Sequence, residues 1–156
     1  MTLIVDVLQA DTFKNEAGGS PFPIIKQIVT GTTTTQVDLS SATLTDTGLT
    51  ATIVPTSASS KILVLVSQSV AHNGRSIGRL VIFKGASNIY DTIDVGDADN
   101  QRSLHFATIL DAPSTTSSTV YKTQMSRFDQ SGTINVQRND SGSAGKSMII
   151  LIEVAA

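Results

Sequence analysis

Two histidines, a cluster of aspartates and a glycine-lysine-serine loop are the residues of this chain whose types could do chemistry. His72 and His105 are the candidates for a general base or an imidazole ligand. His72 stands in a His-Asn-Gly-Arg turn. His105 alternates with Leu104 and Phe106, which points it from a strand toward solvent or an interface. Neither lies in a strained nucleophile motif such as Gly-x-Ser-x-Gly, and no nucleophile, base and orienting group assemble around them. No catalytic residue is therefore assigned, and the chain is expected not to be an enzyme.

Asp91, Asp94, Asp97 and Asp99, with Asn100, supply the hard oxygen ligands that calcium prefers. The spacing lacks the glycine and the terminal glutamate of a helix-loop-helix calcium loop, so a solvated acidic loop is expected and no metal is assigned. Gly142-Ser-Ala-Gly-Lys-Ser147 resembles the end of a phosphate-binding loop, yet Asp140 stands where the first glycine belongs. A strand rather than a helix follows, which removes the helix N-terminus that such a loop needs. Asn139-Asp-Ser141 matches a glycosylation acceptor, which matters only on a secreted route that the N-terminus Met-Thr-Leu-Ile-Val-Asp does not support. No cofactor is expected.

The elements that would position these residues are strands. Ile24 to Thr30, Thr34 to Leu39, Leu49 to Val54, Ile62 to Val70, Arg79 to Lys84, Ile89 to Ile93, Leu104 to Leu110, Val120 to Phe128, Ile134 to Arg138 and Met148 to Val154 are β-prone runs separated by turn formers. No segment reads as a helix, and no repeat of fixed period is present. Asp129-Gln-Ser-Gly132 predicts a hairpin joining the strands on either side of it. The Thr32 to Thr35 patch is expected on an edge strand. Together these predict an all-β antiparallel sandwich, jelly-roll-like, over residues 24–156.

Residues 1–23 differ in character. Leu3, Ile4, Val5, Val7 and Leu8 form a short apolar strand signal, and Phe13 precedes Asn15-Glu-Ala-Gly-Gly-Ser-Pro-Phe-Pro23, a hinge composition. The expectation is a short extended arm that either adds a strand to its own sheet or inserts into a neighbour.

Lys61-Ile-Leu-Val-Leu-Val66 and Ser147-Met-Ile-Ile-Leu-Ile-Glu-Val154 are apolar at both parities. An antiparallel strand with one wet face alternates, so these strands predict a core on one side and a subunit contact on the other. Ile62, Val64, Val66, Ile150, Ile152 and Val154 are the residues expected to build core and oligomer interface.

Composition narrows the partners. Charged residues make up 15% of the 156 residues and the net charge is −2, which leaves no basic footprint for nucleic acid or anionic membrane. Neither is expected as a partner. Zero Cys removes disulfides and thiolate chemistry, and 4% aromatics with no Trp offer no stacking platform. Ser and Thr account for 39 of the 156 residues, which makes a neutral, hydroxyl-rich, β-prone surface.

Thr47-Gly-Leu-Thr-Ala-Thr-Ile-Val-Pro-Thr-Ser-Ala-Ser-Ser-Lys-Ile-Leu-Val-Leu-Val66 resembles a stretch of virion structural proteins of tailed phages, particularly those of aquatic bacteria and cyanobacteria. Met148-Ile-Ile-Leu-Ile-Glu-Val-Ala155 is similar to the C-terminal strand of the same group, and the resemblance spans roughly residues 44–156. It implies a trimeric β-sandwich, similar in outline to the jelly roll of the tumour-necrosis-factor class, serving as a capsid decoration or cement protein or as a fibre tip. It implies no catalytic residues. A fibre needs a long shaft, whereas the 23 residues before the sandwich span no more than about 80 Å fully extended. The expectation is therefore a homotrimer on the outer surface of the phage head, its arm (Leu3, Ile4, Val5, Val7, Leu8, Phe13) gripping the major capsid protein. The alternative is a short tail-fibre or receptor-binding knob.

Overall fold

Valine, isoleucine and threonine fill the chain between its turns, and the computed structural model shows them in strands throughout. It describes residues 25–94, 101–129 and 131–155. The strands are β1 (Ile25–Thr33), β2 (Val37–Leu39), β3 (Thr45–Ile53), β4 (Lys61–Asn73), β5 (Ile77–Lys84), β6 (Ser87–Asp94), β7 (Arg102–Asp111), β8 (Thr119–Asp129), β9 (Thr133–Val136), β10 (Asn139–Asp140), β11 (Ser143–Ala144) and β12 (Ser147–Val154). The fold is an all-β antiparallel sandwich. The arm, residues 1–23, lies outside the described residues.

β4 organises the first sheet. β12 pairs with Lys61 to Ser67 of β4 and β9 with Val70 to Asn73, so β9 and β12 form one long strand interrupted by the β10–β11 hairpin. β1 and β2 continue each other along the outer side of β12 and β9. β7 pairs along the opposite side of β4 from Ile62 to Ala71. The second sheet has the order β3-β8-β5-β6. Counting each interrupted strand once, the first sheet holds long strands 1-8-3-6 of the chain and the second 2-7-4-5.

The expected hairpin across Asp129 to Gly132 does not form. β8 pairs β3 and β5, while β9 crosses to the other sheet and pairs β2 and β4. Gly132 is needed there for close approach: its amide donates to the Arg75 carbonyl at 2.8 Å, and an added Cβ would lie 2.6 Å from the Asn73 carbonyl oxygen. Arg127 Nη1 donates to the Gly132 carbonyl at 2.9 Å, which fastens the crossover from the β8 side.

The core lies between the sheets. From the first come Ile62, Val64, Val66, Ile134, Val136, Ile149 and Leu151, and from the second Leu49, Ile53, Leu80, Ile82, Tyr121 and Met125. A polar seam runs through it. Thr123 Oγ1 donates to Gln68 Oε1 at 2.9 Å, Gln68 Nε2 reaches Ser147 Oγ at 2.9 Å, and the Gln137 amide, oriented to satisfy its neighbours, accepts from Gln68 Nε2 at 2.6 Å. Buried hydroxyls and amides that all find partners cost little and hold the two sheets in one register.

Candidate assembly interface

The chemically suggestive residues find structural positions. His72 lies inside β4 and is buried, with Nδ1 at 3.0 Å from Ser76 Oγ and 3.1 Å from the Ser76 carbonyl. His105 is half-buried, with Nε2 at 2.8 Å from Ser103 Oγ. The expected outward direction of His105 is overturned, since Leu104 and Phe106 are the exposed parity of β7. β7 lies beside β4, and the two rings stand 6.4 Å apart between centroids at 68°. Ser76 is fully buried, so the His72–Ser76 pair has no access to a substrate.

Asp91 is held by Arg79, whose Nε donates at 2.9 Å, and that hydrogen bond keeps its carboxyl below the ordinary value. The side chain of Asp94 and residues 97–100 lie outside the described part, and among the described residues no three His, Cys, Asp or Glu are placed to hold a metal ion. In the loop that resembles a phosphate-binding motif, Ser147 is buried and accepts from the Ser69 amide at 2.9 Å, as part of the core seam. Asn139 closes the β10–β11 turn by accepting from the Gly142 amide at 3.1 Å.

Glu153, which the sequence did not single out, is the most constrained carboxylate of the described residues. It is fully buried on the inner parity of β12 and accepts from the Thr56 amide and hydroxyl at 2.7 Å each and from Gln27 Nε2 at 2.6 Å. Burial works against its charge, but the hydrogen bonds from Gln27, Thr56 and Ser60 outweigh it and hold the carboxyl at about 2. It ties the 54–60 loop to β1 and β12. Tyr121 is pushed in the opposite direction by burial and by the Asp111 carboxylate that its hydroxyl bonds at 2.7 Å.

The unusual surface is the outward face of the first sheet. Ile62, Val64 and Val66 point into the core, and the outward residues of that strand are Leu63 and Leu65. Ile150, Ile152 and Val154 lie on the outward parity of β12 and are partly exposed. Cross-strand register assembles three rows: Ile28–Ile152–Leu63–Leu110, Thr30–Ile150–Leu65–Thr108 and Thr32–Met148–Ser67–Phe106. None of these twelve positions is charged. Ile28, Leu110 and Phe106 are 57%, 55% and 72% exposed, although a solvated sheet face ordinarily alternates to polar residues.

The opposite outward face is built differently. Lys122 Nζ meets Asp46 Oδ1 at 2.8 Å, Gln124 Nε2 donates to the same oxygen at 2.9 Å, and Arg79 pairs with Asp91. Val81, in register between Gln124 and Asp91, is fully covered.

Searches for similar proteins find no matching family model and no matching curated protein. Fold and surface together define the class: an antiparallel β-sandwich with one outer face covered by ion pairs and one that carries three uncharged, largely apolar rows flanked by Lys61 and Arg102.

Proposed function

We propose that this protein is a non-enzymatic structural component of a tailed-phage virion, a capsid decoration or cement protein that assembles as a homotrimer and stabilises the shell from outside. The three uncharged, largely apolar rows on the outer face of the first sheet carry this reading. Contiguous apolar surface of this kind marks an interaction site, because leaving it in water forgoes roughly 25 cal/mol for each Å² that a contact would cover.

Two further features support it. The strand order 1-8-3-6 against 2-7-4-5 fits a jelly roll, an architecture frequent in viral shells. The resemblance of residues 47–66 and 148–155 points to the same class of proteins. On this reading Leu3, Ile4, Val5, Val7, Leu8 and Phe13 contact the major capsid protein. An oligomer that binds only the assembled shell stabilises it by mass action.

The test is the copy number of the chain relative to the major shell protein in purified particles. Hundreds of copies are expected. A handful would move the protein to a fibre or vertex, as a receptor-binding knob, and none would overturn the virion role. Deleting residues 1–20 is expected to leave a folded oligomer that no longer binds capsids.

A further inference from the structure

We propose that residues 3–8 of the chain add a parallel strand to the open edge of β7 in their own sandwich. The inference goes beyond the assembly role and does not depend on it. The outward residues of the added strand stay available for the capsid contact proposed above.

β7 is not built to end a sheet. It pairs with β4 over ten residue pairs without a shift, and among the described residues no strand occupies its other side. Sheet edges are ordinarily blunted by bulges, charges or shortness. The other edge strands follow that rule: β1, β3 and β6 each pair through a register shift and carry Lys26, Asp46 and Asp91, and β2 is three residues long. Between Arg102 and Asp111, β7 has no Asp, Glu, Lys, Arg or Pro.

Its open backbone groups can be named. The His72 amide donates to the Gln101 carbonyl at 2.8 Å, in the same register that pairs Ala71 with Arg102. Antiparallel ladders bond alternate pairs, so the odd-numbered residues of β7 turn their N–H and C=O groups to β4. Those of Leu104, Phe106, Thr108 and Leu110 point to the open side, where an extended segment can bond them. β6 meets β7 at this side of the sandwich, and Ile89 and Ile109 are only partly buried against the core.

The chain that precedes β1 can supply the strand. Ile25 pairs with Val154 and Val154 with Lys61, so β1 begins at the end of the sheet where β7 finishes with Asp111. The open position lies four strand spacings from β1, about 19 Å. Residues 9–24 reach up to about 50 Å. Leu3, Ile4, Val5, Val7 and Leu8 make residues 3–8 a β-prone run. Extended, it measures about 20 Å, the length of residues 104–110 of β7. A strand that leaves the edge toward Ile25 runs parallel to β7. So short a tether gives a chain's own segment an effective concentration in the mM range, which favours it over a segment from another copy.

Backbone amide exchange tests this on the full chain, on a chain lacking residues 1–20, and on the Ile4→Pro, Val5→Pro double variant, which removes a donor from both strand parities. In the full chain the amides of Leu104, Phe106, Thr108 and Leu110 are expected to exchange roughly tenfold or more slowly than in either variant, at every protein concentration. Those of His105, Ala107 and Ile109 face β4 and are expected to stay protected in all three, which checks that the variants fold. Equal rates at the four edge amides in the full chain and the variants would overturn the added strand. Protection that dilution removes would also overturn it, by placing another copy at the edge. The copy number in particles tests the assembly role separately.

Discussion

The two outward faces of this sandwich are made from the same strand chemistry and end up opposite in character. On the second sheet Asp46, Lys122, Gln124, Arg79 and Asp91 form a hydrogen-bonded cover over β-branched and aromatic residues such as Val81 and Phe83. On the first sheet the corresponding positions are Ile28, Ile152, Leu63 and Leu110, with only Thr and Ser as polar relief. The core between the sheets is filled from both sides, so the difference does not arise from folding the single chain. It teaches that strands with equally apolar inner faces can leave one outer face covered by ion pairs and the other largely apolar.

The largest effect is expected where a charge is placed on the largely apolar face. Leu65→Asp should weaken self-association by at least a hundredfold while leaving the monomer folded, since burying an unpaired carboxylate in the contact is prohibitive. Analytical ultracentrifugation beside circular dichroism checks both halves. Leu151→Ala, one residue away in β12 but facing inward, should do the reverse: about 2–5 kcal/mol lost from unfolding stability, read in urea. Association should survive wherever the variant is folded.

Acid provides an intermediate test at the corner that both faces share. The folded-state pKa of Glu153, about 2, lies below its ordinary 4.5. The carboxylate therefore stabilises the fold fully above about pH 4.5, and that contribution is lost as the pH falls toward 2. Wild type and Glu153→Gln should differ in urea stability at neutral pH and converge near pH 2. A constant gap across that window would contradict the assignment. The smallest effect is expected on the charged face: Lys122→Ala should cost no more than about 1 kcal/mol, and less in high salt, because its ion pair with Asp46 is partly exposed.

The strands were legible in the sequence because β-branched runs and turn residues are local signals. Ile62 to Val70 and Met148 to Val154 also carried their double-sided apolarity openly. Pairing was not legible. The Asp129 to Gly132 turn has hairpin composition, yet its glycine is demanded by the Asn73 and Arg75 carbonyls of a distant turn. On β7 the alternation was visible, but the expected direction of His105 was wrong, since the apolar parity of that strand faces out and the histidine faces in. The approach of His72 and His105 depends on β7 lying beside β4, although the register sets His105 opposite Gln68. Gln68, Thr123 and Ser147 were invisible as a seam because hydroxyl residues are so frequent in this chain.

The central claim is that the apolar face of the first sheet joins copies of this chain, and sedimentation equilibrium of the wild type across concentration and salt tests it most directly. A compact oligomer whose association is unchanged or strengthened by salt is predicted, since the three central rows hold no charge for ions to screen. A chain that remains monomeric at every concentration, or an association that salt dissolves, would contradict it.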